Sequence, residues 1–412
     1  MAEGQYGEQC ISIHTVMVHD RGGVQRVHQL VDVASLSYGR RLDGVSEATI
    51  TLAGAACGEQ AEKIRDIAAS VRRYEAVIFR GNTRVWEGPI VQAETGRASA
   101  IFIAHDVKAY LDGTPLSVDW PLETGRAPGD PEGSSVPMTA RIETILEHEL
   151  TVEYNARVGT GVAAQVITIP RWEQLDPPIN VYPHLDIRHS PTLYTRSNTV
   201  AFQMMAGEHL DALSDGNLNY TTVGRRLVIW DSAYAIGRTR TVTDADFYGD
   251  IRVIAAGSEH AAIGHVSTSR PDDESGEPLP APGPGVVYGV GNAGAPNDYY
   301  GVWTRLSSLE QEEGSGEDPT QDDLNSQAQR VVSGRTPVPV EIRVPDGAGL
   351  RLSHDLTIDH LVPGVIFPVL ADLNIRKISQ DQILSAMTVT ETPAGETIQV
   401  SLISAGSVTA VA

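Results

Sequence analysis

The histidines offer the first test for chemistry, because imidazole serves both as a metal ligand and as a general base. His14, His19 and His28 are close in sequence, as are His184 and His189. In an extended strand, residues an odd number apart point to opposite faces, so His14 and His19 would not converge on one ion. Zinc sites normally use three or four ligands, and the second pair stands among prolines, which favours surface or turn positions. The histidine spacing therefore predicts no metal site.

Two further motifs could bind phosphate or act as a nucleophile. Residues 289–294 spell G-x-G-x-x-G, a pattern that binds a pyrophosphate when it links a strand to a helix. They follow a proline-rich segment, and no helix pattern opens after them, so we interpret the glycines as backbone freedom. Cys57 stands in the small-residue setting Ala-Ala-Cys-Gly, which indicates packing and lacks the base that a reactive thiolate needs. Neither motif predicts a catalytic or cofactor site.

Common catalytic signatures are missing from the sequence, which has no G-x-S-x-G elbow, no H-E-x-x-H and no Walker loop. The sequence therefore predicts that the protein is not an enzyme and has no cofactor or metal; a glycosidase with an Asp/Glu pair is the enzymatic alternative. Five tryptophans could form a sugar-binding platform, but most stand in or beside apolar strands, where packing is commoner. They are Trp86, Trp120, Trp172, Trp230 and Trp303.

The charge balance limits the possible partners. The chain of 412 residues carries a formal charge of −22, from 53 acidic and 31 basic residues. Such a chain lacks the overall positive field that gathers phosphates, so tight sequence-reading of DNA is not expected. An acidic wall would instead repel a phosphate backbone and let it slide past. The apolar fraction of 41% is typical of a folded protein, and the length predicts two to four domains.

The sequence also bears on the compartment. Two cysteines, Cys10 and Cys57, are too few for a disulfide framework and fit a reducing, cytoplasmic folding environment. Residues 1–5 contain neither the basic nor the apolar region of a signal peptide. The strongest apolar run, residues 361–370, is about half a bilayer span and contains two prolines. Neither signal-dependent secretion nor membrane insertion is expected.

Alternating apolar residues predict that strands dominate. In residues 46–52, Ala48, Ile50 and Leu52 share one face, as in a half-buried strand. Short β-branched runs resume towards the end of the chain, separated by Gly, Pro and Asp. They are residues 338–344, 365–370 and 398–402, with a turn predicted at 393–395.

A hairpin is predicted near residue 80. Residues 75–80 and 83–87 flank Gly81-Asn82, a two-residue turn in which Gly81 supplies a positive φ. A third apolar run, residues 98–104, would extend this hairpin into a meander.

Three segments have the apolar spacing of amphipathic helices, and a fourth helix is predicted where the acidic stretch 310–323 ends. Thr139 and either Asn198 or Thr199 are the predicted N-caps of the second and third helices. The predicted helices span residues 59–73, 139–150, 199–213 and approximately 322–332.

Two loop-rich segments divide this pattern. Residues 122–137 are rich in Gly, Pro, Glu and Ser, and residues 270–297 are richer still in Pro and Gly. Such segments cannot bury a core, which predicts a boundary at the first and an extended excursion at the second. The chain therefore reads as β, then mixed α+β, then β.

The hairpin region resembles the N-terminal part of siphophage tail hub proteins, which show an Arg/Trp/Gly strand and then an Asp before a Tyr-Leu pair. The matching stretches are residues 84–90, RVWEGPI, and residues 105–111, HDVKAYL. A hairpin whose indole fills a small barrel, with a glycine allowing close strand approach, fits this pattern. The residues that carry it are Trp86, Gly88, Asp106 and Tyr110.

Later stretches agree in order. Residues 210–213, 219–221 and 224–230 are similar to the helix and hairpin of the family's middle domain, and residues 361–364 and 398–402 resemble its C-terminal strands. The signature residues here are Gly224, Trp230, Pro363 and Gly364.

The resemblance implies a mainly β, multi-domain hub with tube-like β-barrel or sandwich domains. Residues 1–125 would form one tube-like β domain with a helix, residues 126–235 a middle α+β domain, and residues 236–412 a second tube-like β domain that includes the loop at 270–297. Three such chains would present six similar units to a six-fold tail tube. The implied function is a homotrimeric tail-tip ring that conducts the tape-measure protein and DNA.

The resemblance also implies partners and location. The ring would contact the distal tail protein, the tape-measure protein and other minor tail proteins, while DNA passes without sequence-specific binding. The protein would be assembled in the host cytoplasm and belong to the virion. A receptor- or glycan-binding tail-tip module is the alternative, motivated by the tryptophans. Acidic loop residues are candidates to face the lumen or a partner subunit: Asp272, Asp273, Glu274, Glu312, Glu313, Glu317 and Asp318.

Overall fold

The computed structural model places most of the chain in short strands and a few helices. The structure describes residues 13–53, 59–96, 99–121, 136–159, 164–174, 179–188, 194–195, 200–249, 251–255, 257, 260–269, 286–292, 301–309, 321–332, 340–345, 347–373, 376–405 and 409–410.

The strands fall into three stretches of the chain. The first stretch holds β1 (His14–Asp20), β2 (Arg26–Leu30), β3 (Val33–Arg41), β4 (Glu47–Ala53), β5 (Tyr74–Arg80), β6 (Thr83–Thr95) and β7 (Ser99–His105). The middle stretch holds β8 (Val136–Pro137), β9 (Tyr154–Val158), β10 (Gln165–Ile169), β11 (His184–Arg188), β12 (Tyr194–Thr195), β13 (Leu218–Val223) and β14 (Arg226–Asp231). The last stretch holds β15 (Tyr234–Ala235), β16 (Gly237–Arg238), β17 (Val242–Thr243), β18 (Phe247–Tyr248), β19 (Arg252–Ala255), β20 (Ile263–Ser269), β21 (Val286–Asn292), β22 (Thr304–Leu309), β23 (Val340–Arg343), β24 (Gly349–Leu350), β25 (Val365–Leu373), β26 (Arg376–Thr392), β27 (Gly395–Ser404) and β28 (Thr409–Ala410).

The helices lie mainly in and around the middle stretch. They are α1 (Glu59–Ala69), α2 (Lys108–Asp112), α3 (Met138–Thr151), α4 (Ala206–Asn217) and α5 (Gln321–Val332). Among the described residues, no helix has both the length and the apolar character needed to cross a membrane.

One large sheet joins the two ends of the chain. Its strands follow the order β19-β23-β27-β26-β3-β4-β7-β6-β5-β1-β2, and β25 pairs with β26 and carries β16 and β17. The link is the antiparallel pairing of β26 with β3, from Ala386 opposite Arg41 to Glu391 opposite Leu36. Segments more than 300 residues apart in sequence thus become neighbours in one sheet.

The long strand β26 keeps its apolar face inward by means of a shift in pairing. Its register with β27 moves by one residue between Leu384 and Ala386. Leu384 is buried before the shift, and Met387 and Val389 are buried after it. An extra residue of this kind reverses which positions face the core, as β-bulges do.

Two hydrophobic cores organise the structure. The larger core combines residues of β1–β7 with residues of β17, β18 and β23–β27, including the fully buried Tyr38, Phe102 and Phe367. The second core belongs to the middle stretch and packs α2, α3 and α4 against β13 and β14. The division into domains at residues 1–125, 126–235 and 236–412 stays a prediction.

The strand predictions are largely confirmed. Strand β4 buries Ala48, Ile50 and Leu52 on one face, and β5, β6 and β7 form the predicted meander with Gly81 at a positive φ in its first turn. Strands β23, β25 and β27 occupy the three predicted C-terminal runs, and β27 starts at the predicted turn. The prediction of a mainly β fold with a mixed middle region is also confirmed.

The described strands do not close into a barrel. The strand path of the large sheet ends at β19 on one side and at β2 on the other. Within the first stretch, β3 and β2 stand at the two ends of the run β3-β4-β7-β6-β5-β1-β2, and the second edge of β3 pairs with β26 instead of with β2. Trp86 is buried in the resulting continuous core and does not fill a separate barrel.

The four predicted helices are present, with less exact ends, and the short helix α2 was not predicted. Helix α1 stops at Ala69, four residues early, because the chain turns at Arg72, which has a positive φ. Helix α3 matches, but Pro137 is at its N-cap position and Thr139 lies inside it. Helix α4 begins only at Ala206, with Met205 as its N-cap, and Asn198 and Thr199 lie outside the described residues.

A buried histidine in α4 predicts acid sensitivity. His209 is 3% exposed, and burial, with the charge of Arg141 adding to it, lowers its pKa to about 4. In the unfolded chain its pKa is about 6.5. Between pH 7 and pH 5 the unfolded chain therefore gains a proton that the folded chain does not, which lowers the free energy of unfolding by about 2 kcal/mol.

Replacement of His209 by glutamine tests this predicted acid sensitivity. Urea unfolding at pH 7 and pH 5 should show that His209→Gln has a pH dependence smaller than that of the parent chain by about 2 kcal/mol. His184, exposed at the start of β11, gives the control for the substitution itself, and His184→Gln should unfold near the parent midpoint at pH 7. An unchanged pH dependence in His209→Gln would contradict the assignment.

Candidate functional site

The signature residues gather where the first meander meets the middle stretch. On the side of the meander, this region contains Gly88, Asp106 and Tyr110. On the side of the middle stretch, it contains Gly224 in the β13–β14 turn. Trp230 and Gly364 form a second contact, between β14 and the loop before β25. Pro363 is buried beside Gly364 in that loop. We call the first group the junction and the second the indole contact.

Asp106 connects three segments of the junction. Its carboxylate Oδ2 accepts hydrogen bonds from the backbone N–H of Ser46 at 2.6 Å, from the Ser46 hydroxyl at 2.7 Å and from the Thr222 hydroxyl at 2.7 Å. Oδ1 accepts from the backbone N–H of Lys108 at 3.0 Å. Burial raises the pKa of Asp106, and these donors act against that shift. The carboxylate thus holds β13 to the meander.

Trp86 extends the same network. Its indole Nε1–H donates to the Ser46 hydroxyl at 3.1 Å, so the ring is fixed in the core next to the carboxylate. A buried indole normally finds such a partner, because an unpaired N–H in an apolar core is costly.

Gly88 lets β6 pass directly over the end of β7. A Cβ atom at this position would lie 1.8 Å from the carbonyl oxygen of His105 and 2.7 Å from the Cα of Asp106. Both of these are backbone atoms that cannot turn aside. Only glycine therefore permits the approach that places Asp106 in the network.

Two buried glutamates face the middle stretch across the junction. Glu75 and Glu87 are 0% and 1% exposed, and the Arg225 guanidinium contacts both: NH2 bonds Oε2 of Glu75, and Nε lies 3.5 Å from Oε1 of Glu87. Arg84 donates to Oε2 of Glu87 at 2.6 Å. Burial alone would lower the pKa of Arg225, but the two carboxylates outweigh it and raise that pKa.

Further donors complete the coordination of Glu75. Its Oε1 accepts from the Tyr110 hydroxyl and, at 3.0 Å, from the backbone N–H of Gly22. Burial and the neighbouring carboxylate raise the pKa of Tyr110 well above its usual value, so its hydroxyl stays a donor. Burial also raises the pKa of Glu87. The cluster ties β5 and β6 to the β13–β14 turn, although Oε1 of Glu87 and NH1 of Arg225 have no hydrogen-bond partner among the described residues.

The β3–β4 turn provides a further tie to β13. Asp43 Oδ1 accepts from the backbone N–H of Tyr220 at 2.7 Å, and the Asp43 N–H donates to the Tyr220 carbonyl oxygen at 3.0 Å. The Thr221 hydroxyl donates to the carbonyl oxygen of Arg41 at 2.9 Å. These bonds attach the middle stretch to the strand that pairs with β26.

The indole contact joins β14 to the C-terminal stretch. Gly364 has a φ of +93°, and a Cβ there would lie 2.2 Å from Cζ2 of the Trp230 ring. Trp230 is 0% exposed. The loop at residues 361–364 therefore needs glycine both for its backbone conformation and for the ring packed against it.

The other chemistry-bearing residues are used in packing. His14 bonds Glu391 on β26 at 2.5 Å, and His19 bonds the carbonyl oxygen of Gly23 at 2.8 Å. Within the described ranges, no three His, Cys, Asp or Glu side chains are grouped to hold a metal ion. Gly289 and Gly291 lie within strand β21. Cys10, Cys57, His189 and the seven acidic loop candidates lie outside the described residues.

The tryptophans are not arranged as one platform. Trp86, Trp120 and Trp230 are buried, Trp172 is partly buried against Tyr110, and Trp303 is 59% exposed. The interpretation of most tryptophans as packing residues is thus confirmed for Trp86, Trp120, Trp172 and Trp230, and Trp303 is the exception.

The sequence reasoning missed the ionic part of the junction. The strand and turn patterns around Glu75, Glu87 and Arg225 do not predict that these residues pair. A signal was available, because Glu75 and Glu87 each adjoin an apolar run, where a charge is buried only when it is paired. The partner could not be named, since Arg225 is 150 residues away from Glu75.

Comparison with known proteins extends the resemblance at the level of fold. No family model and no curated protein matches the chain. The solved structures that share its fold include three tail proteins. The 43 kDa tail protein of prophage MuSo2 from Shewanella oneidensis has a TM-score of 0.59 and 11% identity over 96% of this chain and 100% of that one. Prophage tail protein gp18 from Listeria monocytogenes has a TM-score of 0.56 and 10% identity over 94% of each chain.

The third is the tail protein from Neisseria meningitidis, with a TM-score of 0.54 and 11% identity over 95% of this chain and 96% of that one. The likeness therefore runs the length of both partners in each comparison. The chain has the fold of these three tail proteins.

Proposed function

We propose, on the premise of a fold shared end to end with prophage tail proteins, that this chain is a structural subunit of a phage tail tip. The observation that carries the proposal is the coverage of 96% of this chain and 100% of the MuSo2 tail protein. A match of that extent concerns the whole arrangement of β units and middle region, and one small domain could not produce it. In this proposal the protein acts through its shape and carries out no reaction.

The architecture supports a ring-forming role. Each chain joins its first and last β stretches edge to edge through β3 and β26, and the junction fixes the middle region to the first of them. A subunit built in this way presents two β units at a set spacing. Three subunits would then offer six units, which matches a homotrimer to a six-fold tail tube. The three proposed domains span residues 1–125, 126–235 and 236–412.

The charge of −22 supports a conduit, since an acidic channel wall does not hold a phosphate backbone. The proposed ring closes or extends the tail tube and passes the tape-measure protein and then DNA, with the distal tail protein and other minor tail proteins as neighbours. It belongs to the virion and is assembled in the host cytoplasm.

The stoichiometry gives the decisive test. Native mass spectrometry of the purified chain should show a species of three times the chain mass, and averaged electron-microscopy particles should show a three-fold ring with a central opening. A monomer at all concentrations, or a closed dimer, would overturn the hub proposal. A monomer that hydrolyses cell-wall polymers would favour the glycosidase alternative.

A receptor- or glycan-binding module is the second candidate, and one observation favours it. Trp303 is 59% exposed, next to Val302 at 65% and close to Leu306 at 79% on β22. An exposed indole beside apolar side chains can stack on a sugar ring. Glycan-array binding that is lost in Trp303→Ala would support this candidate, and an array without binding would exclude it.

A further inference from the structure

A cavity of about 300 Å³ lies where all three stretches of the chain meet. Its lining includes Arg40 from β3, Arg188 from β11, Arg226 from β14 and Arg238 from β16. The chain has a formal charge of −22, so four guanidinium groups around one cavity are not expected from its overall composition. The apolar part of the lining is formed largely by valines of β13, β14 and the loop before β25.

Two of these arginines are already paired with carboxylates. Arg188 bonds Asp186 through Nε at 3.1 Å and NH2 at 2.7 Å. Arg238 bonds Asp381 through NH1 at 2.7 Å and NH2 at 2.9 Å. These pairs fix the two side chains at the cavity and neutralise most of their charge.

Arg226 and Arg40 are less well compensated. Arg226 has a longer contact, 3.7 Å, with Asp186, which is already engaged by Arg188. Arg40 is 2% exposed and donates to the carbonyl oxygens of Ile358, Leu361 and Val85, while its Nε has no hydrogen-bond partner among the described residues. Burial lowers the pKa of Arg40, and the charge of Arg226 adds to that shift.

His360 also lines the cavity. Its Nδ1 accepts a hydrogen bond from the backbone N–H of Thr357 at 3.0 Å. In the neutral ring the proton is then on Nε2, which makes that nitrogen a donor. The described lining contains the carboxylate of Asp359. Asp186 and Asp381, which pair with Arg188 and Arg238, bring the total to three carboxylates against four guanidinium groups. The described part of the cavity thus keeps an excess of one positive charge.

We infer that this cavity binds one oxyanion group, a carboxylate or a phosphate, against Arg226. A bound anion would offset the surplus charge, and guanidinium groups match the geometry of both oxyanions. The apolar part of the lining can pack against the carbon atoms next to a carboxylate. Because the lining comes from three stretches of the chain, the anion would hold them together, and binding would stabilise the folded state by mass action. This inference does not depend on the proposed tail function.

Titration of the full chain tests the inference. Inorganic phosphate and N-acetylglutamate are titrated separately by calorimetry, with sodium chloride keeping the ionic strength constant. We expect saturable binding of at least one probe and a rise in melting temperature that follows the same saturation. Phosphate binding alone would identify a phosphate site, and N-acetylglutamate binding alone would identify a site for a protein carboxylate.

A matched pair of variants locates the site. Arg226 is half exposed, so Arg226→Gln should fold, and it should weaken binding at least about tenfold. Arg343→Gln removes an exposed arginine of β23 away from the cavity and should bind like the parent chain. Failure of both probes to saturate, or equal affinity in Arg226→Gln and the parent, would overturn the inference.

Discussion

Gly88→Ala is expected to lower the free energy of unfolding by at least about 3 kcal/mol, because the added methyl group would overlap the backbone. The overlap, 1.8 Å to the His105 carbonyl oxygen, can be relieved only if β6 and β7 separate. Their separation would also move Asp106 away from Ser46 and Thr222. A single methyl group should therefore loosen both the meander and its attachment to the middle region.

Urea unfolding, followed by tryptophan fluorescence, measures this effect through Trp86 and Trp230. Gly113→Ala is the matched control, since Gly113 has a φ of −95° and its Cβ would meet the nearest atom, the Ala109 carbonyl oxygen, at an ordinary 3.4 Å. That variant should unfold near the parent midpoint. Equal midpoints for Gly88→Ala and the parent would show that the close approach of the strands is not required.

Arg225→Met should be comparably damaging, at about 3–5 kcal/mol, because it leaves two buried carboxylates with one remaining arginine. Glu75 would keep only neutral donors, from Tyr110 and Gly22. Burial already raises the pKa of Glu87, and losing a cation raises it further. When folding raises the pKa of a carboxyl group, the free energy of unfolding falls as the pH rises through that pKa. The loss of stability in Arg225→Met should therefore be smaller at pH 5 than at pH 8.

The double variant Glu75→Gln/Arg225→Met separates the charge from the packing. The neutral amide that replaces the Glu75 carboxylate could still accept from Tyr110 and Gly22, so the double variant should be more stable than Arg225→Met alone. Arg343→Met, which removes an exposed pair with Glu341 on β23, should leave the unfolding midpoint nearly unchanged. If Arg225→Met unfolds at the parent midpoint at both pH values, the cluster does not stabilise the junction.

Local patterns in the sequence determined the elements. The alternation at Ala48, Ile50 and Leu52 is enough to define a half-buried strand, because period two is a property of the extended backbone itself. The turn at Gly81 and the apolar spacing of α3 are local in the same sense. The order of short motifs was sufficient to predict the fold class that the comparisons support, even though the identities are near 11%.

Only the tertiary structure decided how these elements connect. Nothing in β3 or β26 marks them as partners, since a half-buried strand can pair with any edge of suitable pattern. The resemblance therefore implied barrel or sandwich domains without deciding between them, whereas the described strands form an open sheet. The pairing of Arg225 with Glu75 and the convergence of Arg40 with Arg226 likewise join residues 150 or more positions apart. Electrostatic contacts of this kind depend on distance in space, which a linear pattern does not contain.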